Sequence, residues 1–111
     1  MHIDNKETYL VLTPTESSTR DFYNTLTKEI TSLKENHILI DFSDKFNIEA
    51  SEILLFLDIA NEKRENGTSF VLIITGVNID DVPDEINVVP TMIEALDTLE
   101  MDAIERDLMD F

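Results

Sequence analysis

Two short segments of this chain, Ile38-Leu39-Ile40 running into Asp41-Phe42 and Phe70-Val71-Leu72-Ile73-Ile74, are apolar at nearly every position. A strand with one solvated face alternates apolar and polar side chains. A run without alternation suits a strand covered on both faces, as in a parallel sheet. The fold must therefore supply helices to cover these strands, and the segments between the runs have helical spacing.

Before the first run, Phe22, Leu26, Ile30 and Leu33 recur three and four residues apart, which predicts a helix from about Thr19 to Glu35 with one buried face. Ser18 is placed to cap it, with Asp21 three residues on. Between the runs, Ile53, Leu54, Leu55, Phe56, Leu57, Ile59 and Ala60 predict a deeply buried helix from about Ser51 to Glu65, ended by Asn66-Gly67. Two short strands, residues 2–4 and 9–13, open the chain, and Pro14 closes the second. After Gly76, Asp81-Val82-Pro83-Asp84 has the signature of a short helix start. Val88-Val89 reads as a brief strand. Thr91 and Glu94 form a capping box for a last helix, which carries Met92, Leu96, Leu99 and Ala103 on one side. The alternation predicts an α/β fold with a four- to five-stranded mixed sheet, an N-terminal hairpin, and helices packed mainly on one side.

At 111 residues and 42% apolar, the chain is one domain with enough material for a core. Its 24 acids against 8 bases, a net charge of −16, argue against nucleic acid or an anionic membrane as partner. No apolar run approaches the ~18 residues of a membrane span, and the first residues lack a signal-peptide core. There is no cysteine, hence no disulfide or thiolate chemistry. The expected location is cytoplasmic.

The phrase Ile38-Leu39-Ile40-Asp41-Phe42-Ser43, followed by Phe46-Asn47-Ile48-Glu49-Ala50-Ser51 and a helix ending at Asn66-Gly67, resembles the STAS domain of bacterial anti-sigma-factor antagonists. The closing phrase Val89-Pro90-Thr91-Met92-Ile93-Glu94-Ala95-Leu96 is similar to the end of that family, so the resemblance covers nearly the whole chain. The family motif Ile-Asp-Ser-Ser-Gly-Leu is met by Ile48-Glu49-Ala50-Ser51-Glu52-Ile53, and Ser51 takes the position of the phosphorylated serine. The Asp of the motif is replaced by Glu49, its first Ser by Ala50 and its Gly by Glu52. The family's Gly-x-Leu-Asp phrase after the second strand is replaced by Pro14-Thr15-Glu16-Ser17. The resemblance implies a STAS-like regulatory module without enzymatic activity or cofactor. Its partner would be a protein, either an anti-sigma factor kinase or another regulator, docking on the loop from Asp44 to Glu52 around Asn47 and Glu49. Ser51 itself has two readings: a helix N-cap, worth ~1 kcal/mol, or a phosphorylation site whose added charge opposes docking.

The residues exclude several chemistries. His2 and His37 are the only histidines, with no His-x-His or His-Glu-x-x-His spacing for a metal. A triad of Ser51, His37 and Asp41 lacks the Gly-x-Ser-x-Gly turn and a glycine-built oxyanion loop. A receiver domain needs a lysine after a late strand, and no lysine follows Lys63. The acids Asp80, Asp81, Asp84 and Glu85 do not have the spacing of a calcium loop.

Charge is concentrated at the C-terminal end. Residues 78–111 carry 11 acids against Arg106 alone, a net of −10. The expected division is a domain over residues 1–99 and an acidic amphipathic helical tail over 100–111. Ile104, Leu108 and Phe111 share one stripe of that tail. The stripe packs back on the domain, frays as a soluble tail, or is offered to a basic groove. The latter makes the chain an adapter that binds a basic partner without any phospho-switch.

Overall fold

The computed structural model describes residues 1–42 and 48–109. The strands are β1 (His2–Asn5), β2 (Leu10–Thr13), β3 (Ile38–Asp41), β4 (Phe70–Ile73) and β5 (Asn87–Val89). They form one sheet in the order β1-β2-β3-β4-β5, with β1 antiparallel to β2 and the other pairs parallel. The helices are α1 (Thr19–Glu29), α2 (Ala50–Ile53), α3 (Leu57–Glu65) and α4 (Met92–Met109). The chain is thus α/β with a five-stranded mixed sheet.

The register explains the unbroken apolar runs. Leu12, Ile40, Leu72 and Val88 lie side by side across the parallel strands, as do Leu10, Ile38 and Phe70. All of them face the larger core, with α1, α2 and α3. The intervening Val11, Leu39, Val71, Ile73 and Val89 face the other way, onto α4. Alternation exists along each strand, but both faces are dry, so both sets must be apolar. Because parallel crossovers share one hand, a strand order that never reverses keeps α1, α2 and α3 on one face. The expected one-sided packing holds for these three, whereas α4 covers the opposite face alone.

Local boundaries differ from expectation for identifiable reasons. Ser18 caps α1, its hydroxyl accepting from the Asp21 N–H at 3.1 Å. The helix then tightens into a 3-10 turn over Ile30–Leu33 rather than running to Glu35. The carbonyls left over at its end are taken by the next crossover. The Lys63 ammonium donates to the carbonyls of Leu33 (3.0 Å), Lys34 (3.3 Å) and Asn36, and the Asn66 side chain donates to that of Lys34 at 2.9 Å. Lys63 is almost wholly buried. Burial pushes its amine down to about 8, with Glu35 pulling the other way.

The single helix expected over residues 51–65 is two helices joined by a 3-10 turn, Leu54–Phe56. Ile53, Phe56 and Ile59 are three residues apart, the 3-10 period, and the tightening keeps all three buried. Leu54 is turned out and is 49% exposed, so the segment is not buried around its girth. Phe56 sits among aromatic rings, with centroids 5.6 Å from Tyr23, 5.8 Å from Phe42 and 6.3 Å from Phe22. Gly67 ends α3 in the left-handed region, at φ +76°.

The short helix expected from Asp81 lies earlier, as a 3-10 turn over Ile79–Asp81; Pro83 instead opens a tight turn in which the Ile86 N–H reaches its carbonyl at 3.1 Å. On α4 the contact with the sheet is made by fully buried Ala95 with Met92, Leu96 and Leu99. Ala103, expected on that side, is exposed. Residues 100–109 continue α4 without a break.

Phe56→Ala is expected to cost about 3–5 kcal/mol, because it empties a fully buried volume lined by Phe22, Tyr23 and Phe42. Urea unfolding of wild type and variant, compared at constant slope, measures this directly.

Candidate functional site

The carboxyl ends of the parallel strands β2, β3 and β4 lie at one end of the sheet. Ile48 is buried and pins the segment that leads into α2. Glu49, in extended conformation, is the N-cap. Its backbone N–H donates to Glu52 Oε1 at 3.1 Å, and its carbonyl accepts from the N–H groups of Glu52 (3.0 Å) and Ile53 (3.3 Å).

This overturns one of the two readings of Ser51. Ser51 is not the cap; it stands in the first turn of α2, one residue past Ala50, with its side chain exposed. The cap is a glutamate, a residue type that sequence reasoning does not rank with Ser, Thr, Asp and Asn. Glu49 and Glu52 together hold the turn, and both stand close to the Ser51 hydroxyl in sequence. Asp44 and Asn47 lie outside the described residues, as does Phe111.

A further carboxylate is fixed at the end of β2. Glu16 accepts from the Met1 ammonium at 2.8 Å and from the Thr15 N–H at 3.0 Å. Burial works to raise its pKa. The ammonium, the N–H groups of Glu16 and Thr15, and the Thr25 hydroxyl outweigh it and hold the group at about 2.

His37 stands just before β3, at the amino end of the strands. Four residues of β3 separate it from the loop that leads to Ser51, a span of roughly 13 Å. It cannot act as a base for Ser51. It belongs instead to a cluster with Ser69, Asp102 and Arg106. The Ser69 hydroxyl donates to Asp102 Oδ2 at 2.9 Å and accepts from the Arg106 guanidinium at 3.3 Å. The Ser69 backbone N–H donates to His37 Nδ1 at 2.9 Å.

A serine, a histidine and an aspartate are thus assembled, but not wired for nucleophilic attack. The hydroxyl proton points to Asp102, and the imidazole nitrogen that a general base would use is engaged by an amide. Ser69 is also buried. With Nδ1 accepting, the neutral ring carries its proton on Nε2. The cluster's chemical role is to tie the C-terminal half of α4 to the start of β4. Its members are more than 30 residues apart in sequence, apart from Asp102 and Arg106, so no local motif announces it.

The two candidate sets from the sequence do not meet. Glu49, Ser51 and Glu52 lie at the carboxyl end of the sheet. Ile104 and Leu108 lie on α4, which returns along the opposite face and meets Ser69 at the amino end; both are exposed. Among the described residues, no group of three or more His, Asp or Glu side chains gathers as metal ligands. Also among them, no helix is long and apolar enough to cross a membrane.

Burial lowers the pKa of His37 from its ordinary 6.5, Arg106 and Lys63 add to this, and Asp102 opposes it. The unfolded chain therefore binds more protons than the native one as pH falls through about 6.5, and native stability declines on acidification across that window. Denaturant midpoints measured from pH 7.5 to 5 are expected to fall for wild type and to flatten for His37→Asn.

Compared with models of protein families, the chain matches none, and no curated protein matches it either.

Proposed function

We propose that the chain is a STAS-like regulatory module that works by binding a protein partner, in the manner of an anti-sigma-factor antagonist. The observation that carries this reading is the exposed Ser51 hydroxyl, in the first turn of the helix after β3, at the carboxyl end of a sheet opened by a hairpin. That arrangement agrees with what the resemblance of Ile48-Glu49-Ala50-Ser51 implies. The partner is a kinase-type anti-sigma factor or a related regulator, docking over Asp44, Asn47, Glu49 and Glu52, and the location is the cytoplasm. No catalysis or cofactor is required of the chain.

Phosphorylation of Ser51 would add close to two negative charges beside Glu49 and Glu52. The helix behind it is a single turn, so its dipole offers little compensation. The phosphoryl group would then have to shed water against a docked partner, and like charges would surround it. Both effects favour release, so the modified form is the unbound one.

Incubation with a serine-kinase anti-sigma factor and ATP, followed by phosphopeptide mapping, is expected to place phosphate on Ser51 and none on Ser51→Ala. In a pull-down with the same factor, Ser51→Asp is expected to bind roughly tenfold more weakly than wild type, while Ser51→Ala binds normally. Unchanged binding by both variants rejects the switch.

A further inference from the structure

The C-terminal half of α4 is built inside out. In its first half the apolar residues Met92, Ala95, Leu96 and Leu99 face the sheet. One turn later the residues on that same inward face are Asp102 and Arg106, which grip Ser69. Helical geometry then sends Ile104 and Leu108 to the opposite side, with Met101 at the rim of the groove beside Asp102. Met101, Ile104 and Leu108 are 62%, 58% and 64% exposed. The polar latch holds the helix against the domain, and it fixes this apolar stripe outward. Met101, Ile104 and Leu108 are therefore not folded back on the domain.

From this geometry we infer that residues 101–108 of α4 form a docking seam for a basic amphipathic helix of a partner protein. Met101, Ile104 and Leu108 are separated by three and then four residues, the spacing of the seam along which two helices pair. In that frame Glu100, Glu105 and Asp107 occupy the positions that flank the seam on both sides. These are the positions whose charges choose the partner in paired helices. Three acids there call for lysine or arginine at the facing positions. They also disfavour a second copy of this chain, which would bring acid against acid. The one base of the segment, Arg106, is turned inward to Ser69. The seam is only about two turns long, so the contact is a reversible one. It is independent of Ser51, which lies at the other end of the sheet.

The test uses the full chain and a synthetic leucine–lysine peptide with apolar residues at three- and four-residue spacing. A leucine–glutamate peptide of the same pattern is the control. Wild type is expected to bind the lysine peptide in a salt-sensitive manner, to ignore the glutamate peptide, and to sediment as a monomer. The variant Met101→Ser/Ile104→Ser/Leu108→Ser is expected to bind roughly tenfold or more weakly. A second variant, Glu100→Gln/Glu105→Gln/Asp107→Asn, is expected to lose a comparable part of the affinity and most of the salt dependence. The altered side chains lie outside the core, so far-UV circular dichroism should be unchanged in both. Binding by the serine variant equal to wild type would reduce the effect to general attraction by an acidic protein and overturn the seam. A wild-type dimer that the serine variant dissolves would overturn it in favour of self-association.

Discussion

A strand that is apolar on both sides has to be covered twice, and β3 is such a strand. Ile38 and Ile40 face one way and Leu39 the other, and all three are fully buried. The neighbouring strand β4 repeats the pattern in register with it. Neither strand has a face that water will tolerate. Every other large feature answers that requirement. The two crossovers bring α1 and then α2 and α3 over one side, and the chain after β5 turns back so that α4 closes the second. Phe56 and the three aromatic rings around it fill the thicker side, while small Ala95 lets α4 approach the thinner one closely.

That solution shapes what the molecule has available for recognition. Among the parallel strands β2 to β5 the order never reverses, so the crevice that doubly wound sheets open at a reversal does not form. The concave feature lies elsewhere, in a groove beside Ser69, Asp102 and Arg106, and the acidic surface consists of the carboxyl end, where Glu16, Glu49 and Glu52 are held, and the outer face of α4. Both are acidic.

Much of the architecture was legible in the chain because the relevant signals are local. The apolar runs at Ile38 and Phe70, the helical spacing of Phe22 and Leu26, the caps at Ser18 and Thr91, and Gly67 each report their own neighbourhood, and the structure has them as expected. The departures have nonlocal causes. The break at Leu54–Phe56 follows from where Phe56 must meet Phe22, Phe42 and Tyr23. The exposure of Ala103 follows from where apolar contact with the sheet ends. Ser is a good helix cap, which makes Ser51 a natural candidate, but Glu49 and Glu52, three residues apart, do that work. Ser69 with His37, Asp102 and Arg106 is wholly a product of the fold.

Lys63 has a consequence of its own. Its ammonium is enclosed by three carbonyls at the end of the first crossover, although it belongs to the second. An acylating reagent therefore cannot reach it until the two crossovers separate, whereas Lys6, Lys28 and Lys34 are open to attack at once. Mass-resolved footprinting of this one amine would report how often the layer parts at that seam, without any introduced probe.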